Sequence, residues 1–319
     1  MEHKATNQEL QILSGIDFIV PLKQIGLITR AVLESLELFY HPRRIIVITC
    51  KKEADILTSL VKHWDVGIIE VIYEEVFFQQ KSGLSIEDII QEYDMQREGE
   101  QREPGWWIQQ LIKLGAATEI EGISNIYIVW DGDLVPIRRW KLCDYADNGD
   151  IQFYIAILQA ESRSEFNSYQ YAACMKSLTN MSPCEPEEGG TFVSHHMAFN
   201  KNRVIEMINL MIETTGYQNI PWPKLIMSHS RKFFRFSEYK TYATFMINKY
   251  SQEFHYHKLC HFGQGGIRFR ETKEIMAKIL LECPLDNGGI SYDKLKMFFE
   301  NKYSPTIPGY IQLEHVYGM

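Results

Sequence analysis

Long apolar runs are missing from this sequence. No stretch of about 18 uncharged apolar residues occurs in its 319 positions, so a membrane-spanning helix is not expected. The opening segment MEHKATNQELQILSG is polar and has no secretory apolar core. This points to a cytoplasmic protein, with peripheral contact to a membrane left open. Cys50, Cys143, Cys174, Cys184, Cys260 and Cys283 contain no CxxC pair. Their scatter fits reduced thiols rather than a disulfide framework or a zinc site. An excess of positive charge is missing too. The net charge of −8 argues against a protein that grips nucleic acid by its phosphates. It leaves room for a small phosphorylated ligand held by a local basic site or a metal. There is no Gly/Ser linker, no internal repeat and no G-x-x-x-x-G-K-[ST] phosphate loop; the short GQGG at Gly263–Gly266 reads as a turn.

What is present is ordinary in bulk and ordered in pattern. Apolar residues make up 45% and charged residues 23%, as in soluble globular proteins. Short apolar runs at Asp17–Pro21, Arg43–Cys50 and Val66–Val76 read as strands, with helical spacing at Ile25–Tyr40 and Lys52–Trp64 between them. Near-continuous apolar strands alternating with helices predict a mostly parallel sheet covered on both faces. A charge-rich segment, Ser82–Gly105, is expected to begin as a short helix and end in a mobile loop near Pro104 and Gly105; it precedes a helix over Trp106–Ala117 and then the strand Ile126–Trp130. Further on, a strand at Gly149–Leu158 leads to a helix at Ser164–Leu178. Gly216 is placed to cap the helix after Phe192–Asn200, and Ser237 and Glu238 stand at the start of another. The expected organisation is a polar leader over 1–15, an α/β domain over 16–250 and a helical extension over 251–319 packed on that domain.

The strand Ile126–Trp130 ends in Asp131-Gly132-Asp133. Asp-Gly is a common turn dipeptide, and an isolated D-x-D is most simply a surface turn. Here the pair follows a strand buried on both faces, at the sheet edge where open α/β sheets bind ligands. Two carboxylates in that place repel and lose hydration unless a positive group sits between them. Mg²⁺ or Mn²⁺ would supply it, since such cations are commonly held by one or two carboxylates plus substrate phosphates. Gly132 is read as the residue that lets the backbone turn so that both carboxylates face one point.

Around this edge other residues invite weighing. Trp106 can stack on a base or sugar, or simply pack. Gln110 and Lys113 can line one side of the site, Lys113 as counter-charge to phosphate, or form a solvated helix face. Arg138, with Arg139 and Lys141, can neutralise a diphosphate or be surface charge. Glu238 is the best-placed general base, or a residue that favours the positive end of its own helix dipole behind the Ser237 cap. A helix start would lower its pKa and keep it ionised. His255, His257, Cys260 and His261 do not have usual zinc spacing.

Five segments together carry a resemblance: DFIVPLK (Asp17–Lys23), GWWIQQLIKLGAA (Gly105–Ala117), IYIVWDGDLVPIR (Ile126–Arg138), FVSHHMAFNKNRVIEMI (Phe192–Ile208) and FSEYKTYATFM (Phe236–Met246). Their order resembles GT-A-type glycosyltransferases, and more closely a sequence-defined family of predicted bacterial and viral glycosyltransferases. The resemblance implies a Rossmann-like GT-A sheet and a nucleotide-diphosphate sugar donor. It also implies a glycan, lipid-linked or small-molecule acceptor, and Mn²⁺ or Mg²⁺ as cofactor. It places Pro21, Leu22 and Thr49 (or Cys50) against the nucleoside, Asp131 near ribose or metal, and Asp133 on the metal. His195 or His196 would close the site, with His196 taken as the metal ligand. A nucleotidyltransferase acting on sugar phosphates would show a Gly-rich basic loop after the first strand, which VPLKQIG matches poorly. A non-catalytic binding module is disfavoured by the intact Asp131, Asp133 and Glu238.

Overall fold

Runs of apolar residues that can be buried on both sides form the centre of the molecule, and segments with one apolar stripe cover it. In the computed structural model, residues 6–94, 104–146, 148–159, 165–184, 186, 190–230, 235–258, 266–269, 272–303 and 310–313 are described. The chain begins with α1 (Asn7–Leu13), β1 (Asp17–Pro21), α2 (Thr29–Tyr40), β2 (Arg44–Thr49), α3 (Lys51–Leu60) and β3 (Ile69–Tyr73). Next come α4 (Ile86–Asp94), α5 (Pro104–Glu119), β4 (Ile126–Trp130), β5 (Leu134–Pro136), β6 (Cys143–Tyr145), β7 (Ile151–Gln159) and α6 (Glu165–Thr179). They are followed by β8 (Gly190–Thr191), β9 (His196–Asn200), α7 (Lys201–Thr215), α8 (Trp222–Ser230) and α9 (Glu238–Lys249). The last are β10 (Phe254–Lys258), β11 (Gly266–Phe269), α10 (Thr272–Glu282), α11 (Tyr292–Tyr303) and β12 (Tyr310–Leu313).

The main sheet has the order β3-β2-β1-β4-β9. Its first four strands are parallel, and β9 runs antiparallel to β4 with Trp130 opposite His196. The expected α/β class, a mostly parallel sheet flanked by helices with a helical C-terminal elaboration, is what the chain adopts. Side chains alternate between two cores, as the period of two in a strand requires. Ile19, Ile46, Ile48, Tyr127 and Val129 face the core shared with α5, α7, α8 and α9. Phe18, Val20, Ile45, Val47, Ile128 and Trp130 face the core shared with α1, α2 and the C-terminal helices. Two smaller sheets lie beside it. One has the order β10-β7-β6, with β8 also on β7; the other is β11-β12-β5, in which β12 is antiparallel to β5.

One local reading changes. The polar leader folds into α1 because Thr6 accepts a hydrogen bond from the Glu9 amide (3.1 Å) and Ile12 and Leu13 are buried. The charged segment Ser82–Gly105 begins with a short helix as its sequence suggested, α4, whose Ile86, Ile89 and Tyr93 are buried; the loop expected after it falls on residues 95–103, outside the described ones. Cys260, His261 and Gly263–Gln264 also fall outside them. Among the described residues no helix is long and apolar enough to cross a membrane.

Candidate metal and donor site

β4 runs to the carboxyl edge of the sheet, buried from Tyr127 on, and stops at Trp130, whose indole N–H is used up on the Leu134 carbonyl (2.9 Å). The following turn is closed from two sides. The Leu134 amide donates to the Asp131 carbonyl (3.1 Å), and the Asp131 amide donates to the His195 carbonyl (2.8 Å). Because β9 is antiparallel to β4, the start of β9 and the end of β4 share this edge, so His195 stands beside Asp131. His195 has φ +64, a left-handed conformation that costs a non-glycine residue about 1–3 kcal/mol and is typically held at functional positions. Gly132 does not have a positive φ, contrary to the reading that it supplies backbone freedom. Its requirement is space. A Cβ there would lie 2.0 Å from Leu22 Cδ2 and 3.4 Å from the Pro21 carbonyl oxygen. The end of β1 is thereby packed onto the turn between the two aspartates.

Asp131, Asp133 and His195 bring one ligand atom each to within 4.8 Å of one another. His195 Nδ1 is 2.9 Å from Asp131 Oδ2. The other carboxylate oxygen, Oδ1, meets Lys113 Nζ at 2.7 Å and accepts from the Tyr239 hydroxyl at 2.9 Å. Lys113 also stands 2.8 Å from Glu238 Oε1 and 4.5 Å above the Tyr239 ring. Burial pushes the Asp131 carboxyl up, but Lys113 and His195 outweigh it and hold the group well below the usual carboxylate range. Burial likewise works against the charged Lys113, yet Asp131 and Glu238 keep its pKa above the ordinary lysine value. The site therefore carries its own ammonium ion beside three carboxyl groups. That lysine answers part of the electrostatic problem posed by the pair, and leaves an oxygen- and nitrogen-rich point at Asp131 Oδ2, Asp133 and His195. Two carboxylates and an imidazole suit a divalent cation, and the Lys113 and Tyr239 contacts are the kind that orient a ligating carboxylate from behind. The donor set fits the expected metal.

The other expected residues fall in different places. Gln110 and Lys113, three apart on α5, share a face; Gln110 Oε1 accepts from the Glu238 amide at 3.4 Å. Glu238 is 1% exposed, and its Oε2 has no hydrogen-bond partner among the described residues. Burial raises its pKa, and Lys113 offsets this only in part. Burial thus outweighs the helix-dipole effect that would keep it low. Thr49 is fully buried at the end of β2 with its hydroxyl unpartnered among the described residues. Trp106 is half-buried and packs edge-on against Trp107, with ring centroids 5.1 Å apart. Among the described residues no hydrogen bond or ion pair joins Arg138 to the group, while Arg139 is bound to Glu9 (2.9 Å) and Lys141 to Asp144.

His196 faces away from the aspartates. It is 3% exposed, and its Nε2 accepts from the Trp140 indole (3.2 Å) while Nδ1 donates to the Ser194 carbonyl (3.1 Å). Both ring nitrogens are engaged, and burial lowers its pKa to about 4. The histidine beside the pair is His195. Tyr239 and Gln312 also reach the group and were not anticipated. Gln312 Nε2 lies 3.3 Å from Asp133 Oδ2 and 3.1 Å from His195 Nδ1. Tyr239 was within reach of the sequence, as the neighbour of Glu238; nothing in the sequence links Gln312 to an aspartate 179 positions away.

Residues 16–268 match a single family, described as a family of unknown function (DUF6492). The chain belongs to this family. No curated protein matches it. Among solved structures, this DUF6492 member is similar to mouse xyloside xylosyltransferase 1 in its apo form. The identity is 10% and the TM-score 0.43, over 80% of this chain and 88% of the other. It is also similar to 4-diphosphocytidyl-2C-methyl-D-erythritol synthase from Anaerococcus prevotii, at 10% identity and TM-score 0.34, covering 76% and 88%. A third likeness is to the PaToxG glycosyltransferase, at 11% identity and TM-score 0.33, covering 70% and 74%. Likenesses of this size do not decide the reaction, which has to be argued from the site.

Proposed function

We propose that this DUF6492 protein is a metal-dependent glycosyltransferase of GT-A type. It would transfer a sugar from a nucleotide-diphosphate donor to a hydroxyl of a glycan, lipid-linked or small-molecule acceptor. The observation that carries this reading is the convergence of Asp131, Asp133 and His195 at the carboxyl edge of a mostly parallel sheet. Mn²⁺ or Mg²⁺ bound there would supply positive charge to a departing diphosphate. Asp131 and Asp133 would hold it, with His195 as the nitrogen ligand. Leu22 and Pro21, packed on Gly132, and Thr49 on the next strand would form the wall against which the nucleoside lies. Trp106 and Arg138 are proposed further out, on the sugar or phosphate side.

Lys113 has a double part in this scheme. It fixes Asp131 through Oδ1 and so leaves Oδ2 toward the metal. Glu238 holds Lys113 from the other side. Being 1% exposed, Glu238 reaches an acceptor hydroxyl only if that hydroxyl is brought in beside Lys113. A raised pKa is what a base working near neutral pH needs, so the base role stays with Glu238. The pH profile separates the two roles. A base lost in Glu238→Gln removes the acidic limb of the rate profile, whereas a lost support for Lys113 lowers rate and donor affinity at every pH. A cytoplasmic setting with a soluble or peripherally membrane-bound acceptor completes the proposal.

A thermal-shift panel of nucleotide diphosphates and nucleotide sugars tests it, run with Mn²⁺, Mg²⁺ or chelator on wild type and Asp133→Ala. Ligands that bind the native state raise the melting temperature by mass action. One nucleotide class should stabilise the wild type only with metal, and the shift should vanish in Asp133→Ala. Stabilisation by no nucleotide under any metal condition would remove the proposal.

A further inference from the structure

β12 brings a side chain into the metal group from the far end of the chain. It pairs with β5, directly after the aspartate turn, with Gln312 opposite Leu134, and the Leu313 amide donates to the Asp133 carbonyl at 3.0 Å. This backbone bond fixes where Gln312 can point. The side chain is 1% exposed, and its amide nitrogen sits 3.1 Å from His195 Nδ1 and 3.3 Å from Asp133 Oδ2. Its amide oxygen has no hydrogen-bond partner among the described residues. Burying a carboxamide with its acceptor unused is costly, and only the end of the amide that faces Asp133 and His195 is engaged.

The contacts of His195 Nδ1 point the same way. In a neutral imidazole this atom has either one proton or one lone pair. With the proton it serves Asp131 at 2.9 Å and cannot accept from the Gln312 amide; with the lone pair it accepts from Gln312 and faces a carboxylate oxygen without a proton between them. The two neighbours cannot both be satisfied. A half-turn of the terminal amide exchanges its oxygen and nitrogen in place. A single cation could then bind the lone pair of Nδ1, a carboxylate oxygen of Asp131, one of Asp133 and the Gln312 oxygen. Ligands at bond lengths of about 2.1 Å in an octahedral shell lie about 3.0 Å apart. The separations of 2.9, 3.1 and 3.3 Å among these four side chains lie close to that edge.

We infer that Gln312 is the fourth protein ligand of the metal, through its amide oxygen, alongside Asp131, Asp133 and His195. The inference rests on the metal reading proposed above. It adds that the ligand set is completed by a strand outside the residues that match the family, so the C-terminal segment is part of the metal centre.

Titration calorimetry of Mn²⁺ into the full chain tests it, with wild type, Gln312→Met and Gln312→Glu. The metal-free melting temperature of each variant reports whether it folds. Wild type should bind Mn²⁺, Gln312→Met should bind at least ten-fold more weakly, and Gln312→Glu, which keeps an oxygen at that point, should bind at least as tightly as wild type. If Gln312→Met does not fold, Gln312→Glu alone decides: affinity below wild type overturns the inference. Equal affinity of wild type and Gln312→Met, or equal weakening by Met and Glu, also overturns it, the latter because the amide N–H would then be what matters. No Mn²⁺ binding by wild type would instead remove the metal reading itself.

Discussion

Gly132 and His196 each test a different property of the site, one spatial and one electrostatic. At Gly132 an added methyl would fall 2.0 Å from Leu22 Cδ2, and Leu22 is itself buried. The leucine must turn away from a packed position, and overpacking of this kind typically costs about 1–3 kcal/mol. Gly132→Ala is therefore expected to lower the free energy of unfolding measured in urea by that amount and to weaken Mn²⁺ binding, because the turn carries both aspartates. His196 makes a pH prediction. Its folded pKa, about 4, lies below the value of about 6.5 for an exposed histidine. Between those pH values the unfolded chain binds the proton and the folded chain does not, so stability rises with pH across this window. The contribution is complete above pH of about 6.5 and is lost as pH falls toward 4. It amounts to at most about 3 kcal/mol, since each pKa unit is about 1.4 kcal/mol. His196→Gln keeps an acceptor for Trp140 and a donor for Ser194 but has no titrating group. Urea unfolding at pH 7 and pH 5 should show a smaller loss in this variant than in wild type; equal losses would show that other groups set the acid stability.

Elements differ in how openly the sequence declared them. β1, β2 and β4 were legible because strands buried on both faces need unbroken apolar runs, and α5 because its apolar spacing continues for 16 residues. The Ser237 cap was legible as well: its hydroxyl accepts from the Lys240 amide at 3.3 Å. Ser237→Ala should cost about 1 kcal/mol and loosen the start of α9, where Glu238 and Tyr239 sit. Urea unfolding reads the loss, and a Mn²⁺ titration shows whether the cap also matters to the site. The choice between His195 and His196 was not legible. It depends on the register of β9 against β4, which puts His196 among Trp130 and Trp140 and leaves His195 in the turn before the strand. Lys113 could be seen on the right helix, but its partner Asp131 depends on how α5 lies across the sheet. Gln312 could not be seen at all, because β12 meets β5 only through tertiary pairing of distant segments.

For the molecule as a whole, the question is whether the C-terminal helices form a separate unit. They are tied to the first half by polar contacts that are buried or partly buried. Arg30 pairs with Glu34 at 2.6 Å and donates to the Asp286 carbonyl, Glu34 accepts from the Tyr292 amide, and the Trp64 indole donates to the Asn287 carbonyl. They also complete a core. Ile279, Leu295 and Phe299 are buried in the same cluster as Leu33 and Leu36 of α2 and Val20 and Val47 of the sheet. Removing them would expose one face of the sheet's helical cover, and a contiguous exposed apolar face is an aggregation liability. We therefore expect the full chain to melt in one transition, and a chain ending at residue 271 to be unfolded or aggregated. Glu34→Ala is the milder test of the same coupling. It leaves the buried Arg30 guanidinium with only the exposed Asp286 carboxylate, 3.4 Å away, and since breaking a buried pair outright costs about 3–5 kcal/mol, the loss is expected to fall below that range. If the shortened chain instead melted cooperatively at the wild-type temperature, and Glu34→Ala left that temperature unchanged, the extension would be a separate unit, and the placement of Gln312 at the metal would need another anchor than this shared core.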